Sequence, residues 1–106
     1  MTKLNIMLVC SAGMSTSMLV KAVKAEVEKQ GLDADVFAKP STEAIEYLET
    51  EPVSVLLLGP QVGFMENNFK EVVGEKNIPI AVINPISYGT MNGQKVLEQA
   101  LALING

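Results

Sequence analysis

The sequence predicts an α/β domain in which helices flank a four-stranded, mostly parallel sheet of strand order 2-1-3-4. Four short apolar segments alternate along the chain with stretches of helical length, and this alternation is typical of parallel strands joined by right-handed crossovers. The third segment, residues 53–58, is almost wholly apolar, as a strand covered on both faces should be. With 106 residues and 48% hydrophobic content, the chain can bury one core, so we expect a single domain over residues 1–106.

The first half of the chain is predicted to supply two strands and two helices. We expect the first strand over residues 4–9 and, after it, an amphipathic helix that ends at Gly31. The second strand is predicted over residues 34–38. Pro40, with Ser41 and Thr42, should break that strand and cap a short helix, which Pro52 ends before the third strand.

The second half continues the same alternation. Residues 59–63 form a predicted turn, residues 65–73 a third helix and residues 78–83 the fourth strand. Residues 84–89 are predicted as a loop and residues 94–104 as the last helix. Ligands of such sheets bind beyond the carboxyl ends of the strands, where the strand order reverses. For the order 2-1-3-4 that point lies between strands one and three, so the loops after strands one, three and four should converge there.

Composition and charge exclude several functions. The net charge of −4, the pI near 4.7, the scattered lysines and the few aromatic residues argue against a nucleic-acid partner. The longest apolar runs fall well short of the roughly 20 residues that span a bilayer, and the amino end lacks the long apolar segment of a signal peptide. We therefore expect a cytoplasmic protein without direct membrane insertion, and a lone cysteine fits that reducing compartment.

The single cysteine, Cys10, stands where the first strand ends and a loop of small and polar residues begins. A free cysteine at a strand end is often only a small buried hydrophobe, but this loop favours a functional interpretation. Its backbone N–H groups and the positive end of the next helix can surround an anion beside the sulfur. We predict Cys10 as the catalytic nucleophile and seven residues as its phosphate-binding loop: Ser11, Ala12, Gly13, Met14, Ser15, Thr16 and Ser17. Helix capping is an equally good explanation for Ser15 and Ser17.

Missing residue types narrow the chemistry. The chain has no histidine, no arginine and one cysteine, which removes Ser-His and Cys-His pairs, histidine-based or cysteine-rich metal sites and an internal dithiol. Neither G-x-x-x-x-G-K-[ST] nor G-x-G-x-x-G occurs in the sequence, so no nucleotide is expected. We accordingly expect no metal and no cofactor.

The fold and the position of the loop resemble those of the low-molecular-weight tyrosine phosphatases, whose motif is Cys, five residues, Arg and then Ser or Thr. Thr16 stands at the place of the arginine, so the guanidinium that clamps the phosphoryl oxygens is missing. The only aspartates, Asp33 and Asp35, lie at the opposite strand ends from Cys10 and cannot protonate a leaving group there. The main alternative is a relative of these phosphatases, or of arsenate reductases of the same fold, that is inactive and binds anions.

Three motifs together resemble the IIB component of the bacterial sugar phosphotransferase system, in its lactose/cellobiose/diacetylchitobiose family. They are residues 10–17, residues 57–61, and Tyr88-Gly89 with Asn92-Gly93. The resemblance implies a transferase in which Cys10 takes a phosphoryl group from a phosphohistidine IIA protein and gives it to a sugar bound by a membrane IIC permease. Without a histidine or a membrane span, both partners should be separate chains. A regulatory domain of the IIB fold is disfavoured because no second domain is seen.

Other loops supply weaker candidates. Gln61 and Tyr88 are expected at the rim of the site, although a turn residue and a half-buried aromatic lid explain them equally well. Met14, with Met18 and Met91, would form an apolar collar for docking partners. For Met18 a place in the core is the favoured interpretation, because it lies inside the first predicted helix. The sugar, of cellobiose, diacetylchitobiose or lactose type, is expected to be selected by the permease.

Overall fold

Four parallel strands form the sheet of the computed structural model, which describes residues 3–10 and 14–105. The strands are β1 (Leu4–Cys10), β2 (Ala34–Pro40), β3 (Val55–Leu58) and β4 (Ile80–Val82). Their order is β2-β1-β3-β4, so the predicted fold class and strand order are confirmed. β2 continues two residues further than predicted, to Pro40 opposite Cys10. β4 is shorter than predicted and begins after Pro79, which has no N–H to donate to a ladder.

In the described part of the chain, five helices cover the two faces of this sheet: α1 (Met14–Gln30), α2 (Ser41–Thr50), α3 (Glu66–Val73), α4 (Pro85–Gly89) and α5 (Gly93–Asn105). α4 occupies the segment predicted as a loop, and the predicted turn after β3 is a 3-10 helix over Pro60–Met65. A shorter 3-10 turn, Gly74–Lys76, follows α3. Pro40 is the N-cap of α2 and makes no side-chain capping bond, so the predicted cap by Ser41 and Thr42 is wrong, because Ser41 is already helical.

The end of α1 confirms the predicted glycine cap. Gly31 adopts a left-handed conformation with a φ of 68°. Its N–H donates to the Glu28 carbonyl at 3.1 Å, and the Leu32 N–H donates to the Val27 carbonyl at 3.1 Å. These two bonds satisfy carbonyls that the end of a helix otherwise leaves unpaired.

Alternation along β1 divides the core into two layers. Ile6 and Leu8 pack with residues of α1 and α5, whereas Met7 and Val9 pack with residues of α2 and α3. None of the four side chains has exposed surface, as expected for a central strand covered on both faces. Side chains alternate between the two faces of a sheet along a strand. Cys10 therefore lies on the same face as Ile6 and Leu8, which is the α1/α5 side.

α1 and α5 approach each other closely at Gly93. A Cβ atom there would overlap the backbone carbonyl of Ala22 and lie 2.9 Å from the backbone nitrogen of Val23. Helices that come this close need a residue without a side chain at the contact. The contact fixes the helix that follows Cys10 against the last helix of the chain.

Candidate functional site

Cys10 lies at the carboxyl edge of the sheet, at the point where the strand order reverses. β1 pairs with β2 on one side and with β3 on the other, and ligands of open α/β sheets usually bind at such a point. The thiol is free, and the residue is 3% exposed. α1 begins at Met14 and is 17 residues long, so the amino end of a long helix, which favours anions, follows Cys10 at this edge.

Most of the predicted phosphate-binding loop lies outside the described residues. This applies to residues 11–13 and to the side chains of residues 14–16, whose backbone forms the first turn of α1. Ser17 follows in the same helix and is exposed. Phosphate binding by these residues therefore stays a prediction. Ser15 and Ser17 lie inside α1, which begins at Met14, so the alternative that they cap this helix is wrong.

The segment after β3 is hydrogen-bonded to β1 beside Cys10. The Gly59 N–H donates to the Val9 carbonyl at 2.8 Å. A Cβ atom at Gly59 would lie 3.3 Å from that carbonyl oxygen and 2.9 Å from Oε1 of Gln61. Glycine thus allows this segment to pass close to the end of β1 with the Gln61 side chain folded against it.

Gln61 and Tyr88, which are 27 residues apart in sequence, meet at this segment. Nε2 of Gln61 donates to the Tyr88 hydroxyl at 3.2 Å, and the Tyr88 ring lies 3.6 Å from the position of a Cβ on Gly59. Tyr88 is 8% exposed, so it is buried more deeply than a half-buried lid, whereas Gln61 is exposed. Their hydrogen bond joins the 3-10 helix after β3 to α4, and their place at a ligand site stays a prediction.

Asn84 caps the start of α4, shortly after the end of β4. Oδ1 of Asn84 accepts from the N–H of Ile86 at 2.9 Å and from that of Ser87 at 3.3 Å. Pro85 occupies the first helical turn, where its missing N–H costs nothing. Asparagine followed by proline is a helix-start signal, so the sequence did contain the information that the loop interpretation missed.

Gln99 of α5 binds the open edge of β4 with one side-chain amide. Its Nε2 donates to the Val82 carbonyl at 2.8 Å, and its Oε1 accepts from the Asn84 N–H at 3.1 Å. An edge strand presents unpaired N–H and C=O groups, and Gln99 satisfies one of each. This contact, which no sequence pattern predicted, connects α5, β4 and the start of α4.

Met91 ends α4 in a left-handed conformation, with a φ of 53°. Its N–H donates to the Tyr88 carbonyl at 3.1 Å, and the Asn92 N–H donates to the Ser87 carbonyl at 2.9 Å, which is the pattern of a glycine-type helix end. Met91 is partly buried and packs against the α1/α5 layer of the core. It is therefore anchored inward and differs from the exposed residue that an apolar collar would need.

Among the described residues, three large apolar side chains are exposed on the segments that follow β1, β3 and β4. Phe64 is 83% exposed, Ile86 is 76% exposed and Met18 is 65% exposed. The expectation that Met18 belongs to the core is wrong, because the buried stripe of α1 runs through Leu19 and Val23. Phe64 and Ile86 were not predicted as contact residues, although both stand a few residues after a strand end. Exposed apolar side chains at one end of a sheet favour a contact surface there.

The salt bridges of the described residues each lie within a single helix. They are two, Lys70 with Glu66 at 3.7 Å and Lys95 with Glu98 at 3.9 Å. Within residues 3–10 and 14–105, no three His, Cys, Asp or Glu side chains come together as a metal site. None of the described helices combines the length and the apolar character that crossing a bilayer requires.

Known proteins resemble this chain over nearly its whole length. A family model described as the lactose/cellobiose-specific IIB subunit of the PTS system matches residues 5–99. The oligo-beta-mannoside-specific EIIB component of Bacillus subtilis is 35% identical over 100 residues, which cover 94% of this chain and 95% of that protein. The cellobiose-specific EIIB component of Lactococcus lactis subsp. lactis is 39% identical over 103 residues, with the same two coverages of 94% and 95%.

Two solved structures agree with these relatives. The solution structure of a cellobiose-specific phosphotransferase IIB component from Borrelia burgdorferi has a TM-score of 0.78 and 41% identity, and the match covers 98% of this chain and 94% of that one. The lactose-specific IIB domain of Streptococcus pneumoniae has a TM-score of 0.84 at 14% identity, with coverages of 96% and 98%, and supports the fold alone. The chain therefore belongs to the lactose/cellobiose-specific IIB family of the sugar phosphotransferase system, as its motifs predicted.

Proposed function

We propose that this IIB chain carries the phosphoryl group on Cys10, between a phosphohistidine IIA protein and a sugar bound to a membrane IIC permease. The observation that carries the proposal is the position of the thiol. Cys10 is the single cysteine of the chain, and it ends β1 between β2 and β3. The amino end of α1 follows it, so a negatively charged group on the sulfur would lie close to favourable backbone dipoles.

The two transfers would run through the same sulfur. In the first, the Cys10 thiolate attacks the phosphorus of the phosphohistidine, the S–P bond forms, and the N–P bond breaks with its electron pair left on the imidazole. In the second, an oxygen of a sugar hydroxyl attacks the phosphorus, the S–P bond breaks and the thiolate is restored. The hydroxyl proton passes to a base on the permease or to water. Transfers of this kind depend mainly on positioning and on stabilisation of charge.

Backbone amides would supply most of that stabilisation. The proposed donors are the N–H groups of residues 11–17, with the hydroxyls of Ser15, Thr16 and Ser17 as further donors. The chain has no arginine, so no guanidinium fork is available to hold the equatorial oxygens. Preorganised amide donors can stabilise developing charge without one. A carrier that receives an already activated phosphoryl group places a lower demand on its site than a phosphatase does.

The exposed apolar residues at the carboxyl edge suit a carrier that docks on two proteins in turn. Phe64 and Ile86 project from the segments after β3 and β4, and Met18 from the helix after β1. Apolar contacts of this kind can exclude water around the reacting sulfur while the complex lasts. We place the chain in the cytoplasm, where it would reach the inner side of the permease.

The sugar in this proposal is of cellobiose, diacetylchitobiose or lactose type. Relatives that are 35% to 39% identical to this chain carry the names of oligo-beta-mannoside, galactose and cellobiose systems. Since such similar IIB chains are named for different sugars, we assign the choice of sugar to the permease.

Phosphorylation followed by intact-protein mass spectrometry tests the carrier function. A phosphorylated IIA protein should add one phosphate to the wild-type chain and none to Cys10→Ser, which keeps nearly the same side-chain volume. Circular dichroism would establish that the variant is folded. Equal acceptance of phosphate by Cys10→Ser would overturn the assignment. Rapid hydrolysis of an aryl phosphate by the wild-type protein would instead favour the phosphatase relationship.

A further inference from the structure

An open groove runs between α1 and β2, the strand at one edge of the sheet. It has a volume of about 530 Å³. Val20 of α1 and Val36 and Ala38 of β2 give it an apolar lining, and Pro40 lies at one end. Pro40 is opposite Cys10 in the strand register, so the groove starts at the level of the proposed phosphoryl carrier. Its other end, at Val36, is about 13 Å further along the strand.

The charges on this groove have one sign. Of the described residues that line it, Lys21 and Lys24 are the charged ones, and both are exposed. Neither forms a salt bridge with any other described residue, whereas Lys70 and Lys95 are each paired with a glutamate of their own helix. The chain as a whole has a net charge of −4. The two neighbouring lysines therefore make the surface of this groove locally positive.

The positive and apolar parts form one short stripe. Met18, Lys21 and Lys24 follow one another at a spacing of three residues on α1, so they lie along one side of the helix over about 9 Å. Beyond Lys24 the surface changes, because the adjoining depression is lined by Glu28 and Asp35 as well. The groove thus offers an apolar contact nearest Cys10, then two positive charges, and then ends at acidic residues.

We propose that this groove binds an acidic segment of the IIA protein, with an apolar side chain against Met18 and two carboxylates against Lys21 and Lys24. The inference rests on the proposed function. It adds the assignment of one surface, the groove, to one partner, the IIA protein. Charge complementarity favours the soluble donor over the permease, since the cytoplasmic loops of membrane proteins carry an excess of lysine and arginine, which would repel these lysines. Complementary charges at the border of an interface mainly accelerate and orient association.

Steady-state phosphorylation by a phosphorylated IIA protein at low ionic strength tests this assignment. Lys21→Glu/Lys24→Glu should raise the KM for IIA at least about tenfold and leave kcat within about twofold, because the contact is made before the chemical step. The matched control is Lys70→Glu/Lys95→Glu, which changes the net charge equally on other helices. Its KM should stay within about threefold of the wild type, and the difference between the two variants should shrink as salt screens the charges.

A second pair of variants tests the apolar contact without changing charge. Met18→Ser removes an exposed side chain at the Cys10 end of the groove, and Ile45→Ser removes an exposed side chain on α2. We expect a higher KM for IIA with Met18→Ser and an unchanged KM with Ile45→Ser. Thermal unfolding would verify that both variants are folded.

The possible results of these experiments distinguish a wrong assignment of the groove from a failure of the proposed carrier function. Equal KM values for the groove double variant and the wild type, or equal KM increases in both double variants, would overturn the assignment of the groove. So would normal acceptance from IIA combined with lost transfer to sugar in permease-containing vesicles, which would identify the permease as the occupant. Failure of the carrier function itself looks different, because the wild-type chain would then take up no phosphate even at saturating IIA.

Discussion

The two sides of Cys10 are built in different ways. Towards β3 and β4, polar side chains hold the segments after the strands in place: Gln61 binds Tyr88, Asn84 caps α4, and Gln99 binds the edge of β4. Towards β2, the structure has side-chain contacts of another kind: Nζ of Lys39 lies 5.1 Å from the centre of the Tyr47 ring, and that ring lies 5.1 Å from the Phe37 ring. That side has the open groove with Met18, Lys21 and Lys24 on its wall.

This difference fits the proposed carrier, which needs both a fixed site and an adaptable surface. A reacting group needs neighbours whose positions are already set, and buried or capping hydrogen bonds set them. A transient partner needs exposed apolar and charged groups that are free to adjust. The β3/β4 side meets the first requirement and the β2 side meets the second.

We expect the largest effect from disturbing the contact between α1 and α5, because these helices carry residues of both sides. Gly93→Ala would place a Cβ against the backbone of Ala22 and push α1, which carries the groove lysines, away from α5, which carries Gln99. We expect a loss of about 2 kcal/mol in the free energy of unfolding, because overpacking outweighs the helix propensity gained. Urea denaturation measures it.

Gly89→Ala is the matched control for that substitution. A Cβ built on Gly89 would meet no atom within 4 Å beyond its chain neighbours and the backbone of its own helix, and its φ is not in the left-handed region. The variant should be as stable as the wild type or slightly more stable. Equal losses from Gly93→Ala and Gly89→Ala would contradict the close packing of α1 on α5.

A smaller effect is expected from the cap of α4. Asn84→Ala removes the acceptor for the N–H groups of Ile86 and Ser87 and should lower the free energy of unfolding by about 1 kcal/mol. Asn68→Ala, an exposed change within α3, is the control and should be neutral or slightly stabilising. If the two substitutions had the same effect in urea denaturation, the side-chain cap would contribute nothing.

We expect the smallest effect from removing the hydrogen bond between Gln61 and Tyr88. Gln61→Met and Tyr88→Phe each remove one partner of a hydrogen bond at 3.2 Å, and the double-mutant cycle should yield a coupling of about 0.5 to 1 kcal/mol. Additive losses would show that the two side chains are only neighbours. In that case the β3/β4 side would be less firmly held than its geometry indicates.

Local sequence signals predicted most elements of this fold. The signal at the start of α4 was present too, but it was misinterpreted as part of a loop. The apolar segments predicted the four strands, and Gly31 predicted the end of α1. Asparagine followed by proline marks the start of α4 in the same way, because a cap acts through residues two and three positions away. The error at Met18 is also local: membership in a helix does not decide burial, and the buried stripe runs through Leu19 and Val23.

The sequence by itself determined the fold class, the place of Cys10 at the end of a strand and the family to which its motifs belong. Periodicity, turn residues and residue spacing act over a few positions and can be recognised without coordinates. Only the tertiary structure decided that Gln61 meets Tyr88, that Gln99 binds the edge of β4 and that Gly93 touches α1. It also decided that the groove lysines form no salt bridge with another described residue. These contacts join residues far apart in the chain, and their geometry follows from how helices pack on the sheet.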